Sequence, residues 1–134
     1  MGEFVAALDA DPDNEFALYN LGFVAQSNGE RPSAERYYRA VLDEDPNFEA
    51  ALFNLALLRE RAGGTQEAIA LYRRVVVVNA DNAEAHLNLG LLLLEAGRQR
   101  EGRAEIQAAI RLDRSLIDRV EGDEAGAPPS ATPP

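Results

Sequence analysis

Leu18-Tyr19-Asn20-Leu21-Gly22 returns 34 residues later as Leu52-Phe53-Asn54-Leu55-Ala56, and after a further 34 as His86-Leu87-Asn88-Leu89-Gly90. Asn20, Asn54 and Asn88 fall in one column, and Leu21, Leu55 and Leu89 in the next. A fixed period of this size marks a small structural unit that cannot bury its apolar face alone and stacks on its neighbours.

Each period reads as two helices. Phe16, Ala17, Leu18, Leu21, Val24 and Ala25 recur at helical spacing, with Tyr19 and Phe23 on another side, so a helix over 15–28 has neighbours on more than one face. Asp13 and Asn14 are helix-starting residues, and Gly29 ends the helix. Pro32 falls in the first turn of a second helix, which carries Ala34, Tyr37, Tyr38, Val41 and Leu42 to about Glu44. Asp45-Pro46-Asn47 closes the unit. The pair returns over 49–62 and 66–78 around Gly63-Gly64-Thr65, and over 83–96 and 99–112 around Gly97. Four consecutive valines, 75–78, read alone as strand. Their counterparts 41–44 and 109–112 are helical in pattern, so helix is the expectation.

The ends differ from the middle. Phe4, Ala7 and Leu8 share a helical face that Asp11-Pro12 stops, which predicts a half unit over 3–12. Either the natural chain extends upstream of that orphan helix, or a second copy covers its apolar face. Ser115-Leu116-Ile117-Asp118 has the pattern of a capping box with Asp in place of Glu, and predicts a short closing helix over 115–120. Residues 121–134 contain four Pro and no large apolar side chain, so they are expected to form a disordered, acidic, Pro-rich tail. That tail reads as a spacer or, through Pro129-Ser130-Ala131-Thr132-Pro133, as a Pro-rich ligand segment.

The formal charge is −10, and residues 1–14 carry four acids without a base. With no basic stripe, nucleic acid and anionic membrane are excluded as partners. All 13 bases are Arg, which fits GC-rich coding. The absence of Cys excludes disulfides, thiolate metal sites and a Cys nucleophile. Neither 75–78 nor 91–94 is long enough to span a bilayer, and no signal peptide opens the chain. The compartment is unassigned, with cytoplasm the default and an upstream signal left open. His86, the single His, has no second candidate ligand beyond nearby Glu84, which makes neither a metal cage nor an activated nucleophile. No metal, cofactor or catalytic residue is expected. Gly63-Gly64 lacks the strand that a phosphate loop requires.

Taken together, these columns resemble the tetratricopeptide repeat, a helix–turn–helix unit of 34 residues. The resemblance rests on Leu18, Leu21-Gly22, Ala34, Tyr38, Val41 and Pro46 in unit 15–48. Unit 49–82 supplies Leu52, Leu55-Ala56, Ala68, Tyr72 and Val75, and unit 83–116 supplies Leu89-Gly90, Gly102, Ile106 and Ala109. Small residues in the Gly22 and Ala34 columns let paired helices approach closely. Arg59 stands where the family has an aromatic residue, His86 replaces a bulky apolar one, and Ala80 and Arg114 replace the closing Pro. These departures are expected to soften packing locally.

The resemblance implies an all-α, right-handed α-solenoid over residues 1–120, with the first helix of each pair lining a concave groove that binds a peptide or amphipathic helix. By column, the implied groove residues are Phe16, Tyr19, Asn20 and Phe23, then Phe53, Asn54 and Leu57, then Leu87, Asn88, Leu91 and Leu94. Gln26, Ala50, Glu60 and Glu84 complete the columns. The three Asn either bond a ligand backbone or bond the neighbouring repeat. The apolar side chains either receive a partner or are covered by repeats or by a second copy. The family's cationic clamp for acidic chaperone tails is absent, because its columns hold Tyr19, Phe23, Asn54, Glu84 and Asn88. The implied function is a non-enzymatic interaction scaffold for another protein or peptide. Its alternative is self-association into homo-oligomers through the end repeats or the groove.

Overall fold

A computed structural model describes residues 14–125 and divides them into two compact units, the first ending at Val78 and the second starting at Asn79. The half unit expected over 3–12 and the tail residues 126–134 lie outside the described residues.

The first unit consists of α1 (Glu15–Ser27), α2 (Arg31–Glu44), α3 (Glu49–Arg61) and α4 (Thr65–Val78). It pairs α1 with α2 and α3 with α4, and α2 also packs on α3. Each pair turns on one glycine. Gly29 and Gly63 have φ of 77° and 87°, a left-handed conformation that side chains resist. Around them Glu30 N–H reaches the Ala25 carbonyl at 2.8 Å, and Gly64 N–H reaches that of Arg59 at 2.7 Å. These closures satisfy carbonyls that a helix end leaves unpaired. The valine run is helical because the repeat register buries Val75 and leaves Val77 at the surface.

Helix approach depends on the missing side chain at position 22. A Cβ on Gly22 would sit 2.7 and 2.9 Å from ring carbons of the fully buried Tyr38. Arg59 does not loosen the packing as its column suggested. Its guanidinium lies 3.2 Å from Glu35 on α2 and 3.0 Å from Glu67 on α4, and Arg39 closes on Glu67 at 2.9 Å. An ion-pair chain thus ties the two helix pairs where softened packing was expected.

The second unit holds α5 (Ala83–Glu95), α6 (Gln99–Leu112), a 3₁₀ turn (Arg114–Leu116) and α7 (Ile117–Ala125). Gly97, with φ of 84°, turns α5 into α6. Gly90 and Gly102 face each other so closely that a Cβ on either would lie 2.8 Å from the other's carbonyl oxygen. Two departures from the family pattern meet here. The His86 ring has Nδ1 2.7 Å from Glu105 Oε1 on α6 and Nε2 2.8 Å from the Ala80 carbonyl. An imidazole therefore fastens the link that a proline would have stiffened.

The capping box predicted at Ser115 is not formed. Asp113 caps instead, its Oδ1 accepting from Ser115 N–H at 3.0 Å and from Ser115 Oγ at 2.7 Å, and these bonds lower its pKa. Asn79 and Asp45 make the same turn one and two periods earlier, accepting at 3.0 Å from Asp81 N–H and Asn47 N–H. The closing element of each unit is this Asx turn rather than the Pro beside it. α7 also outruns its expected end at Val120, continuing to Ala125. Glu121, Glu124 and Ala125 suit a helix, and the first residue that forbids one is Pro128.

Candidate functional site

On α1, Phe16, Tyr19 and Phe23 fall at helical spacing on one face, and Asn20 adjoins them. Asn14 starts that helix, its Oδ1 accepting from Ala17 N–H at 3.0 Å, and Asn82 does the same for α5. The residue between them in the column is Phe48, which makes no side-chain cap bond at α3. Its ring turns to α1 instead, meeting Phe16 edge-on at 5.5 Å and stacking on Tyr19 at 5.4 Å. Tyr19 stacks on Phe23 at 6.4 Å, so Phe16, Phe48, Tyr19 and Phe23 form one contiguous aromatic row. Phe48 was not among the expected groove residues. The signal was available as an aromatic residue in a column that holds Asn14 and Asn82.

Exposure separates these rings into two kinds. Phe16 is 67% exposed and Phe23 52%, whereas Tyr19 and Phe48 are half-buried. Asn20 is exposed. Asn54, its column mate, is committed to the preceding repeat. Its Nδ2 donates to the Tyr19 hydroxyl at 3.0 Å and approaches that of Tyr38 at 3.4 Å. Tyr38 in turn donates to Gln26 Oε1 at 2.5 Å. Burial is the main cause that pushes the Tyr38 pKa up to about 12, the neighbouring Tyr19 adds to it, and the Asn54 bond opposes it. One period on, the Tyr72 hydroxyl donates to Glu60 Oε1 at 3.0 Å. Gln26 and Glu60 are thus partners of buried tyrosines within their own pairs. Phe53 is half-buried with its edge on Tyr72 at 5.7 Å, and Leu57 is half-buried.

In the second unit the corresponding columns are largely occupied. Leu87 is fully buried in a cluster with Ile106, Ala109, Leu116 and Val120, and Leu91 and Leu94 pack against it. Leu87 is therefore a core residue and not a ligand contact. Leu116 comes 68 residues after Phe48, and Leu87 68 after Tyr19, so the same packing contact recurs in both units. Glu84 pairs with Arg119 of α7, and the half-buried Asn88 has an interaction of its own. Among the described residues no group of acids and His is arranged to hold a metal, and no helix is long and apolar enough to cross a membrane.

Helix pairs at a 34-residue period, joined by left-handed glycines and carrying an exposed aromatic face, define a helical-repeat interaction scaffold. The sequence profile described as tetratricopeptide repeat matches residues 19–77 and 53–116, and the chain belongs to that family. The fold class is accordingly an all-α solenoid of helix–turn–helix repeats. No curated protein matches the chain by sequence.

Among solved structures, a crystal structure of MamA is 23% identical with a TM-score of 0.79, over 86% of this chain and 67% of that one. The Yersinia enterocolitica type III secretion chaperone SycD, in complex with a peptide of the translocator YopD, is 22% identical with a TM-score of 0.72, over 78% and 85%. A mutant of Thermobaculum terrenum O-GlcNAc transferase is 31% identical with a TM-score of 0.67, over 75% of this chain but 19% of that one. The chain spans about two thirds of the MamA structure and a fifth of the transferase.

Proposed function

We propose that this chain is a non-enzymatic scaffold that captures a peptide or short helix on the α1–α3 face of its first unit. The observation that carries this reading is the exposure of Phe16 and Phe23 at the two ends of a row whose middle rings are held by packing. Exposed aromatic rings fixed by a rigid neighbour lose little freedom on binding, the property that makes such residues anchors. Tyr19, Asn54 and Phe53 support the surface from below. Asn20, Leu57 and Phe48 border it, and Asn88, Leu91 and Leu94 occupy the equivalent columns of the second unit. The SycD structure, which holds a peptide of its partner, supports a peptide as the ligand class.

The test is a peptide selection on wild type and on a Phe16→Glu, Phe23→Glu variant, with helicity checked by circular dichroism. Peptides retained by wild type and lost by an equally helical variant support the reading. Equal retention by both places the site elsewhere.

Self-association is the second reading, and one column favours it. Val24 is 54% exposed, while Leu58 and Leu92 in its column are 5% and 3%. Solution mass over a dilution series separates the two, since a dimer that dissociates in a Val24→Asp variant would favour self-association.

A further inference from the structure

The second helices of the first unit border a groove that shares no residue with the aromatic row. It lies between α2 and α4 and has a volume of about 380 Å³. Sites for small groups begin at roughly 300 Å³. The floor is aliphatic. Leu55 of α3 and Leu71 of α4 are 1% and 5% exposed, and the half-buried Leu42 of α2 joins them.

Two struts cross the groove. Arg39 of α2 bonds Glu67 of α4 at 2.9 Å, and Arg74 of α4 donates to the Pro46 carbonyl, just past the end of α2, at 2.9 Å. Along α2 the order is Arg39, Asp43, Pro46, and along α4 it is Glu67, Ala70, Arg74. Asp43 and Ala70 therefore lie between the struts on opposite walls. Ala70 contributes only a methyl group, which leaves room across from the carboxylate. Asp43 is exposed, and among the described residues nothing bonds or pairs with it.

The other charges of the groove are answered: Arg39 and Glu67 by each other, Arg74 by a carbonyl. An acidic ligand would meet the Asp43 carboxylate, and a purely apolar one would leave it unanswered. A side chain with an aliphatic stem and a cationic head suits both the floor and the carboxylate. The net charge of −10 favours the same sign of partner. Arginine fits better than lysine, because its planar guanidinium matches a carboxylate fork to fork and gives up its hydration more readily. Arg74 keeps further N–H donors for a main-chain carbonyl of the segment that carries the cation. We infer that the α2–α4 groove is a docking site for an arginine side chain of a partner protein. Its stem lies on Leu42, Leu55 and Leu71, its cation on Asp43, and its main chain against Arg74. The site is independent of the α1–α3 face, so either can fail alone.

The test titrates the full chain with three probes and follows backbone amide signals by NMR. The probes are Nα-acetyl-arginine methylamide, the same compound with norleucine in place of arginine, and butylguanidine, which keeps stem and cation without the main chain. The arginine probe should shift amides around residues 43 and 70. The norleucine compound should bind about tenfold more weakly, because it leaves Asp43 unanswered, and butylguanidine severalfold more weakly, because Arg74 loses its acceptor. Asp43→Asn and Ala70→Leu should each weaken the arginine probe about tenfold, the first by removing the charge and the second by filling the groove. Both positions are exposed, so circular dichroism should show unchanged helicity, and if one variant unfolds the other decides. A Phe16→Ala, Phe23→Ala variant should bind the arginine probe as wild type does, which separates this site from the aromatic row. Equal binding of the arginine and norleucine compounds, or full binding by Asp43→Asn, overturns the inference. So do shifts of equal size around a remote exposed acid such as Asp118, which would mean attraction to net charge only. Butylguanidine that binds as tightly as the arginine compound would assign the groove to a free cation and overturn the partner side chain.

Discussion

Asn54 shows how one residue can carry a repeat without touching a ligand. Its amide donates back to Tyr19 and Tyr38 of the preceding pair, and Tyr38 passes the chain on to Gln26. Asn54→Ala should therefore cost about 1 kcal/mol of unfolding free energy, since it removes a donor from two largely enclosed hydroxyls. Urea denaturation reads this directly. Unchanged stability with weaker ligand binding would return Asn54 to the docking surface. Tyr38 makes a second prediction. Its pKa is pushed to about 12, above the ordinary 10.0, because burial disfavours the phenolate. A raised pKa means the folded state holds its proton more tightly than the unfolded chain. The associated stability is complete below pH 10 and is lost as pH rises towards 12, amounting to about 3 kcal/mol. Wild type should lose stability across that window more steeply than Tyr38→Phe, as measured by denaturant midpoint against pH.

Paired helices meet through absences. α1 and α2 close on Gly22, where a methyl group would enter the Tyr38 ring. Gly22→Ala should destabilise by about 1–3 kcal/mol, because Tyr38 is enclosed and cannot swing aside. Ala56 fills the same column in the α3–α4 pair, so Ala56→Gly should cost less, about 1 kcal/mol, mostly from helix propensity. Thermal melts of both variants test the contrast. The small-residue columns, left-handed glycines and helix order were legible in the sequence because each follows from local pattern. What was misjudged depends on which of two faces a residue turns to a neighbour. Tyr19 and Leu87 share a column that looked groove-facing, yet Phe48 covers the first and Leu116 buries the second. Arg59 looked like a flaw because its ion partners, Glu35 and Glu67, lie on two other helices.

A repeat protein divides its stability between each unit and the neighbours that cover it. The family relationship and the period established that arrangement, but exposure alone shows where cover is thin. Val24 is open, while its column mates Leu58 and Leu92 are enclosed. At the other end, α7 is held through the Leu116 and Val120 contacts and the Asp113 cap. Native-state hydrogen exchange should therefore be graded along the chain. Amides of α1 and α7 should exchange first, by opening locally, and those around Leu52, Leu55 and Tyr72 last, close to the rate set by global unfolding. Loss of the Asp113 carboxylate should accelerate α7 and leave α1 unchanged, because that cap touches only its own end. The Asp113 pKa is lowered by its bonds from Ser115, so the cap persists through the ordinary carboxylate range and is lost only as pH falls below it. Uniform protection from α1 to α7 would mean that the chain opens as one cooperative block. The end helices would then be coupled to the middle more strongly than their exposed side chains imply.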